Sequence, residues 1–253
     1  MTRRQGVRPS LLFWGIVALT AVGGGLAWYA GARTTPLAYA GVFIFVIAGW
    51  TVSLCLHEFG HAYTAWRFCD TDVELRGYLT LNPLKYSNPL LSLGLPALFI
   101  ALGGIGLPGG AVYVRTWFMN PRRRTLVSLA GPAANLVLAV VLLVTTSVMF
   151  DPHHGVFWAG MAFLGFLQVT ALLLNLLPIP GLDGYNALEP HLSAETQRAL
   201  QPAKQWGFLI LMVLLIAPVL NQMFFSAVYY FVGLSGVPPH LAAIGGLLTR
   251  FWS

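Results

Sequence analysis

Residues Leu54–Trp66 read LCLHEFGHAYTAW. They close an apolar run that starts after Pro36, and Glu58 is its only formal charge. An ionisable side chain inside a membrane span costs roughly 3 kcal/mol to insert, so such residues mark function by default. His57 and His61 are four apart. On a helix this stacks both imidazoles on one face about one turn apart, the spacing with which two ligands grip one zinc ion. Glu58 follows the first histidine and can reach a water on the metal without being a ligand itself. The bland alternative is a packed histidine pair with a buried acid tying helices together.

Working outward, the 253 residues are 57% hydrophobic and only 9% charged. Soluble domains carry about 25% charged residues. This chain cannot cover itself with a polar surface, so its class is an integral membrane protein surrounded by lipid bilayer. No polar stretch is long enough for a second domain. The expectation is one integral membrane domain over 1–253, with a motif-bearing core at about 37–188. The first helix, 10–32, and the last, 206–232, are peripheral to it. The net charge of +6 comes from basic residues beside apolar runs, which fits membrane topology rather than nucleic acid. Cys55 and Cys69 are too few for a disulfide framework and read as ordinary buried thiols.

Six charge-poor runs predict an all-α polytopic protein with about five to six transmembrane helices. They cover 10–32, 37–66, 88–110, 125–150, 156–177 and 206–231. The first has the basic flank of a signal peptide, but its apolar run exceeds the roughly 7–15 residues of a signal core, so an uncleaved anchor is favoured. Basic residues favour the cytoplasmic side. Arg3, Arg4 and Arg8 put the N-terminus there, and Arg67, Arg76, Lys85 and Arg115–Arg124 want the same side. The run 88–110 lies between two such flanks and carries Pro96 and a glycine cluster. It reads as a re-entrant or interfacial element near the cytoplasmic face, with a plain span as the alternative. The last run then leaves a short tail outside. Val73, Leu75, Leu79 and Leu81 alternate with polar residues, which predicts a half-buried strand. Ala111–Thr116 is its candidate partner in a small β-hairpin, with an exposed edge near Tyr78 that could take an extended peptide.

A catalytic zinc needs a third protein ligand and an open position. In NLLPIPGLDG, Asn175–Gly184, Asp183 is the only acid between Asp151 and Glu189. Pro178, Pro180 and Gly181 break the helix before it, so Asp183 is expected on unwound backbone that can turn inward. Asn175 lies about two turns earlier on intact helix. The arginine pattern places both motifs towards the same ends of their helices. In LAGPAANLVLA, Leu129–Ala139, the residues Gly131, Asn135 and Ala139 share a helical face. This suits close helix packing as well as it suits a direct role in chemistry. His153 and His154 lack an obvious third ligand, and His191 reads as a surface histidine.

Together these motifs resemble the site-2 protease family of intramembrane zinc metalloproteases. HEFGH is similar to its HExxH, NLLPIPGLDG to its NxxPxPxxDG and AGPAAN to its GPxxN element. GYLTLNP followed by NPRRR resembles the compact bacterial branch, which lacks a PDZ domain. The resemblance covers about Leu54–Leu188. It implies a multi-pass protein of the bacterial plasma membrane that cleaves membrane-embedded protein substrates through a transmembrane helix, in regulated intramembrane proteolysis. It implies His57, His61 and Asp183 as ligands of Zn2+ and Glu58 as catalytic base. Asn175 then holds the substrate or the developing oxyanion. Two other functions compete: a zinc-binding membrane transporter, which needs ligands along a whole path, and a non-catalytic membrane scaffold, which has no reason to keep Glu58.

Overall fold

The computed structural model describes residues 6–86, Leu98, Ile100 and 112–250. Among these residues there is helix but no strand. Four helices are long and apolar enough to cross a membrane: α1 (Leu11–Ala30), α2 (Pro36–Arg67), and, after the single turn α3 (Asp72–Leu75), α4 (Pro121–Met149) and α5 (Gly155–Leu176). At 1.5 Å per residue, the 20 residues of α1 just span a hydrocarbon layer of about 30 Å. Their starts follow from local chemistry. Ser10, Thr35 and Asn120 accept hydrogen bonds from the N–H of Phe13, Ala38 and Arg123. Pro36 and Pro121 then occupy the first helical turn, where no N–H is needed.

Of the four spans α5 is the most buried, with α2 and α4 packed on it. α1 lies along α2, and the contact depends on small residues. A methyl group on Gly23 would meet the backbone of Phe45, and one on Gly41 that of Ala27. Without a hydrophobic drive between helices in lipid, such backbone approach supplies the packing energy.

The expected last span differs. The chain after α6 (Asp183–Leu188) and α7 (Ala194–Leu200) forms α8 (Gly207–Ile216) and α9 (Pro218–Gly233). Neither is a membrane-length helix by itself. Pro218 forces the break: Ala217 before it is extended at ψ 118°, as a residue preceding proline prefers. The Asn221 amide caps the open end by donating to the Leu215 carbonyl at 2.8 Å. Beyond it, α10 (Pro239–Leu248) replaces the expected free tail. It buries Leu241, Ala242 and Leu248 and sets Gly245 against the Ala159 carbonyl of α5.

The expected β-hairpin is not there. Residues 72–80 form α3 and a 3-10 turn at Tyr78–Thr80, joined through Gly77 at φ 75°. Asp70 explains the choice. Its carboxylate accepts the N–H of Asp72 at 3.1 Å and of Arg115 at 2.7 Å. Such side-chain acceptors compete with ladder formation. Leu75 points out while Val73, Leu79 and Leu81 are buried, so the period of two does not survive. Tyr78 is itself buried, which removes the expected peptide-binding edge.

The bundle has two ends. At one, Ser10 N–H bonds the Thr80 carbonyl, and Thr125 at the start of α4 bonds the Ala187 carbonyl at 2.8 Å. At the other, Val156 N–H bonds the Gly31 carbonyl, and Trp28 stacks on His154. The run 88–110 lies outside the described residues apart from Leu98 and Ile100. Its flanks both reach α2 around Glu58: the Tyr86 hydroxyl donates to the Cys55 carbonyl at 3.4 Å, and Val112 N–H donates to Glu58 Oε2 at 3.0 Å.

Candidate metal centre

α2 carries His57, Glu58 and His61 on its buried side, about two to three turns before its end at Arg67. α5 stops at Leu176 because Pro178 follows; Leu177 is extended. Gly181 then takes φ 102°, which an L side chain would resist. The chain reverses and Asp183 opens α6. It was expected on unwound backbone; instead it is the first residue of a short helix. Gly184 lets that helix back against the end of α5, where a methyl would strike the Leu176 carbonyl.

This fold brings three of the expected residues to one point. His57 Nε2 and His61 Nε2 are 3.1 Å apart. Asp183 Oδ2 is 3.3 Å from each. Zinc bonds of roughly 2.0–2.1 Å at tetrahedral angles put ligand atoms about 3.3 Å apart. The three donors therefore have the spacing that one face of a zinc tetrahedron requires. Two further observations fit a metal. His61 Nδ1 lies 2.8 Å from the Val127 carbonyl; with the proton on Nδ1, Nε2 keeps its lone pair for an ion. Gly131 of α4 faces the pair so closely that a methyl there would collide with both imidazoles. Among the described residues no other cluster of three such donors exists.

Glu58 is 2% exposed, and its Oε2 is held by Val112 N–H. Asn175 on α5 is also buried and lines the same cavity of about 230 Å³. Asn135 lines it too, so of the third motif both Gly131 and Asn135 turn towards the site. The cavity has members that the motif reading missed: Trp50 and Ser53 on α2, Gln168 on α5 and Asn186 on α6. Their signal was periodic. Ser53 and Trp50 lie four and seven residues before His57, and Gln168 lies seven before Asn175, so each falls on its helix's site-facing side.

Two other histidines, His154 and His191, are engaged elsewhere. His154 Nδ1 pairs with Asp151 Oδ2 at 2.6 Å and His191 Nε2 sits 2.9 Å from Thr125 Oγ1. An ion network ties down the chain just after α6. Buried Glu189 receives Lys204 at 2.7 Å and Arg124 at 3.7 Å, linking α4, α6 and the segment before α8.

A family model for peptidase family M50 matches residues 45–152. The protein named "Putative zinc metalloprotease Rip2" from Mycolicibacterium smegmatis is 69% identical over 250 residues, covering 99% of this chain and 96% of that one. The Rip2 protein of Mycobacterium tuberculosis is 68% identical over 251 residues, 99% and 97% of the two chains. "Putative zinc metalloprotease YwhC" of Bacillus subtilis is 34% identical over 175 residues, 66% of this chain and 78% of that one. No solved structure matches the chain. With relatives of such identity along nearly their whole length, the chain belongs to peptidase family M50, the zinc metalloprotease family that its three motifs resemble.

Proposed function

We propose that this protein is an intramembrane endopeptidase that cuts the transmembrane helix of a membrane-embedded protein. His57, His61 and Asp183 are its zinc ligands, Glu58 its general base and Asn175 its oxyanion donor. The observation that carries this reading is the near-equilateral triangle of three donor atoms set beside a buried carboxylate inside a membrane-length helix. Zinc bound there supplies Lewis acidity, polarising a peptide carbonyl and acidifying water to a pKa of about 7.

The chain's own groups account for the rest. Val112 N–H anchors one oxygen of Glu58, which leaves the other free to take a proton from the attacking water. Glu58 then returns that proton to the leaving amine as the C–N bond breaks. The Asn175 amide donates to the carbonyl oxygen while its negative charge develops. The narrow cavity cannot admit an intact helix about 10 Å across, so the substrate is cut as a locally unwound strand.

The end of the bundle that holds the centre is the cytoplasmic one. It carries Arg67, Arg76, Arg115 and Arg122–Arg124, whereas the opposite end has Arg33. Ser10, which caps the start of α1 and bonds the Thr80 carbonyl, lies on the same side.

Purified protein tests the assignment. Glu58→Gln is expected to keep one zinc per chain and lose all cleavage of a single-span substrate. His61→Ala or Asp183→Ala is expected to lose both. Cleavage by Glu58→Gln would overturn the role of the base. Zinc flux surviving Glu58→Gln would instead favour a transporter, a reading that fits poorly with donors gathered at one depth.

A further inference from the structure

Gln168 has no place in the chemistry described so far. It is 0% exposed, yet neither its Oε1 nor its Nε2 has a hydrogen-bond partner. Trp50 Nε1 is buried and unpartnered as well. Both residues line the cavity that contains the metal centre. A buried amide left wholly unsatisfied is rare in folded proteins and asks for an occupant. Its apolar surroundings make any such vacancy costly.

The arrangement of the lining constrains the occupant. His57, Ser53 and Trp50 descend one face of α2 at steps of four and three residues. Asn175, Ala171 and Gln168 descend the facing side of α5 at the same steps, and all six line the cavity. The groove thus runs from the metal centre about two turns deeper into the bundle. Seven residues at 1.5 Å make about 10 Å, the reach of about three residues of extended chain at 3.3 Å each.

We propose that the Gln168 amide and Trp50 Nε1–H form a subsite for the unwound backbone of the substrate, about three residues from the scissile bond on its membrane-interior side. The inference rests on the proteolytic reading above. A transmembrane helix that unwinds exposes N–H and C=O groups where no bulk water can satisfy them. Gln168 offers two donors and an acceptor, and Trp50 one donor. Together they meet both polar groups of a peptide unit. These contacts read backbone rather than side chain, so the subsite favours segments that unwind readily over any particular sequence.

A double-mutant cycle between enzyme and substrate tests this. The probe is a synthetic single-span peptide with a mapped cleavage site. Ester bonds replace single amides two, three and four residues from that site on the membrane-interior side. Gln168→Leu is expected to lower kcat/KM about tenfold on the all-amide peptide, equivalent to about 1.4 kcal/mol. One ester position should cause a similar loss in the wild type, and at that position Gln168→Leu should cost no more than about twofold further. Gln168→Asn, with its shorter amide, should recover part of the rate, and every variant should hold one zinc. Losses that multiply at every ester position would mean a structural or water-conducting role and overturn the proposal. So would an unchanged rate in Gln168→Leu. The inactivity of Glu58→Gln on the same peptide tests the proteolytic reading separately, so either claim can fail alone.

Discussion

At the scale of single residues, Gly131 matters as much as the ligands. Its missing side chain is the space in which the imidazoles meet. Gly131→Ala is therefore expected to lower zinc content from one per chain to below about 0.1 while the protein remains folded in detergent. A full zinc complement in that variant, measured by elemental analysis, would contradict the packing described. Asn175→Ala should act differently, keeping its zinc and losing about 10²–10³-fold in kcat, as loss of an oxyanion donor does. A change confined to KM would assign Asn175 to substrate binding alone. The sequence made HEFGH and Asp183 legible because metal-ligand spacing and an isolated acid near a helix break are local signals. Gly131 stayed open between helix packing and a direct role: a glycine in an apolar helix looks the same whether it faces a neighbouring helix or a ligand. Gln168 and Trp50 carry no motif. Only their register with Asn175 and His57 connects them to the site.

At the scale of elements, the centre depends on how α6 is seated. Pro178 ends α5, Gly181 reverses the chain, and Gly184 lets α6 press against Leu176. Gly184→Val is expected to displace α6 and weaken zinc binding at least about tenfold, the scale seen when groups that orient metal ligands are lost. An unchanged zinc affinity in a competition titration would show that Asp183 is positioned some other way. The helix break at Pro178 and the start at Pro36 were legible because proline acts on its immediate neighbours, whereas the helix expected from 125 begins one turn earlier at Pro121. The strand expected at 73–81 failed for the opposite reason. Its alternation was real, but Asp70 and Arg115, 45 residues apart, bind each other's surroundings and fold the stretch into turns. A period of two over so few residues cannot outweigh such contacts. The span expected at 206–231 hid its break because the apolar run continues through Pro218 unchanged in character.

At the scale of the whole molecule, apolar composition fixed the membrane class, and four membrane-length helices among the described residues agree with it. Topology gives a direct prediction. Reporters fused after Arg67 and after Arg115 should read the same, cytoplasmic side, since Arg115 pairs with Asp72 beside the end of α2; a reporter after Asp151 should read the opposite side. Opposite signals at Arg67 and Arg115 would break the account of the bundle's two ends. The central claim is that this centre cuts proteins within the bilayer. The measurement that addresses it most directly is mass-spectrometric mapping of new peptide termini in membranes containing the wild-type protein or Glu58→Gln. The account predicts termini that depend on Glu58 and lie inside transmembrane segments, towards their cytoplasmic ends. Termini found equally in both membranes, or only in soluble loops, would contradict it.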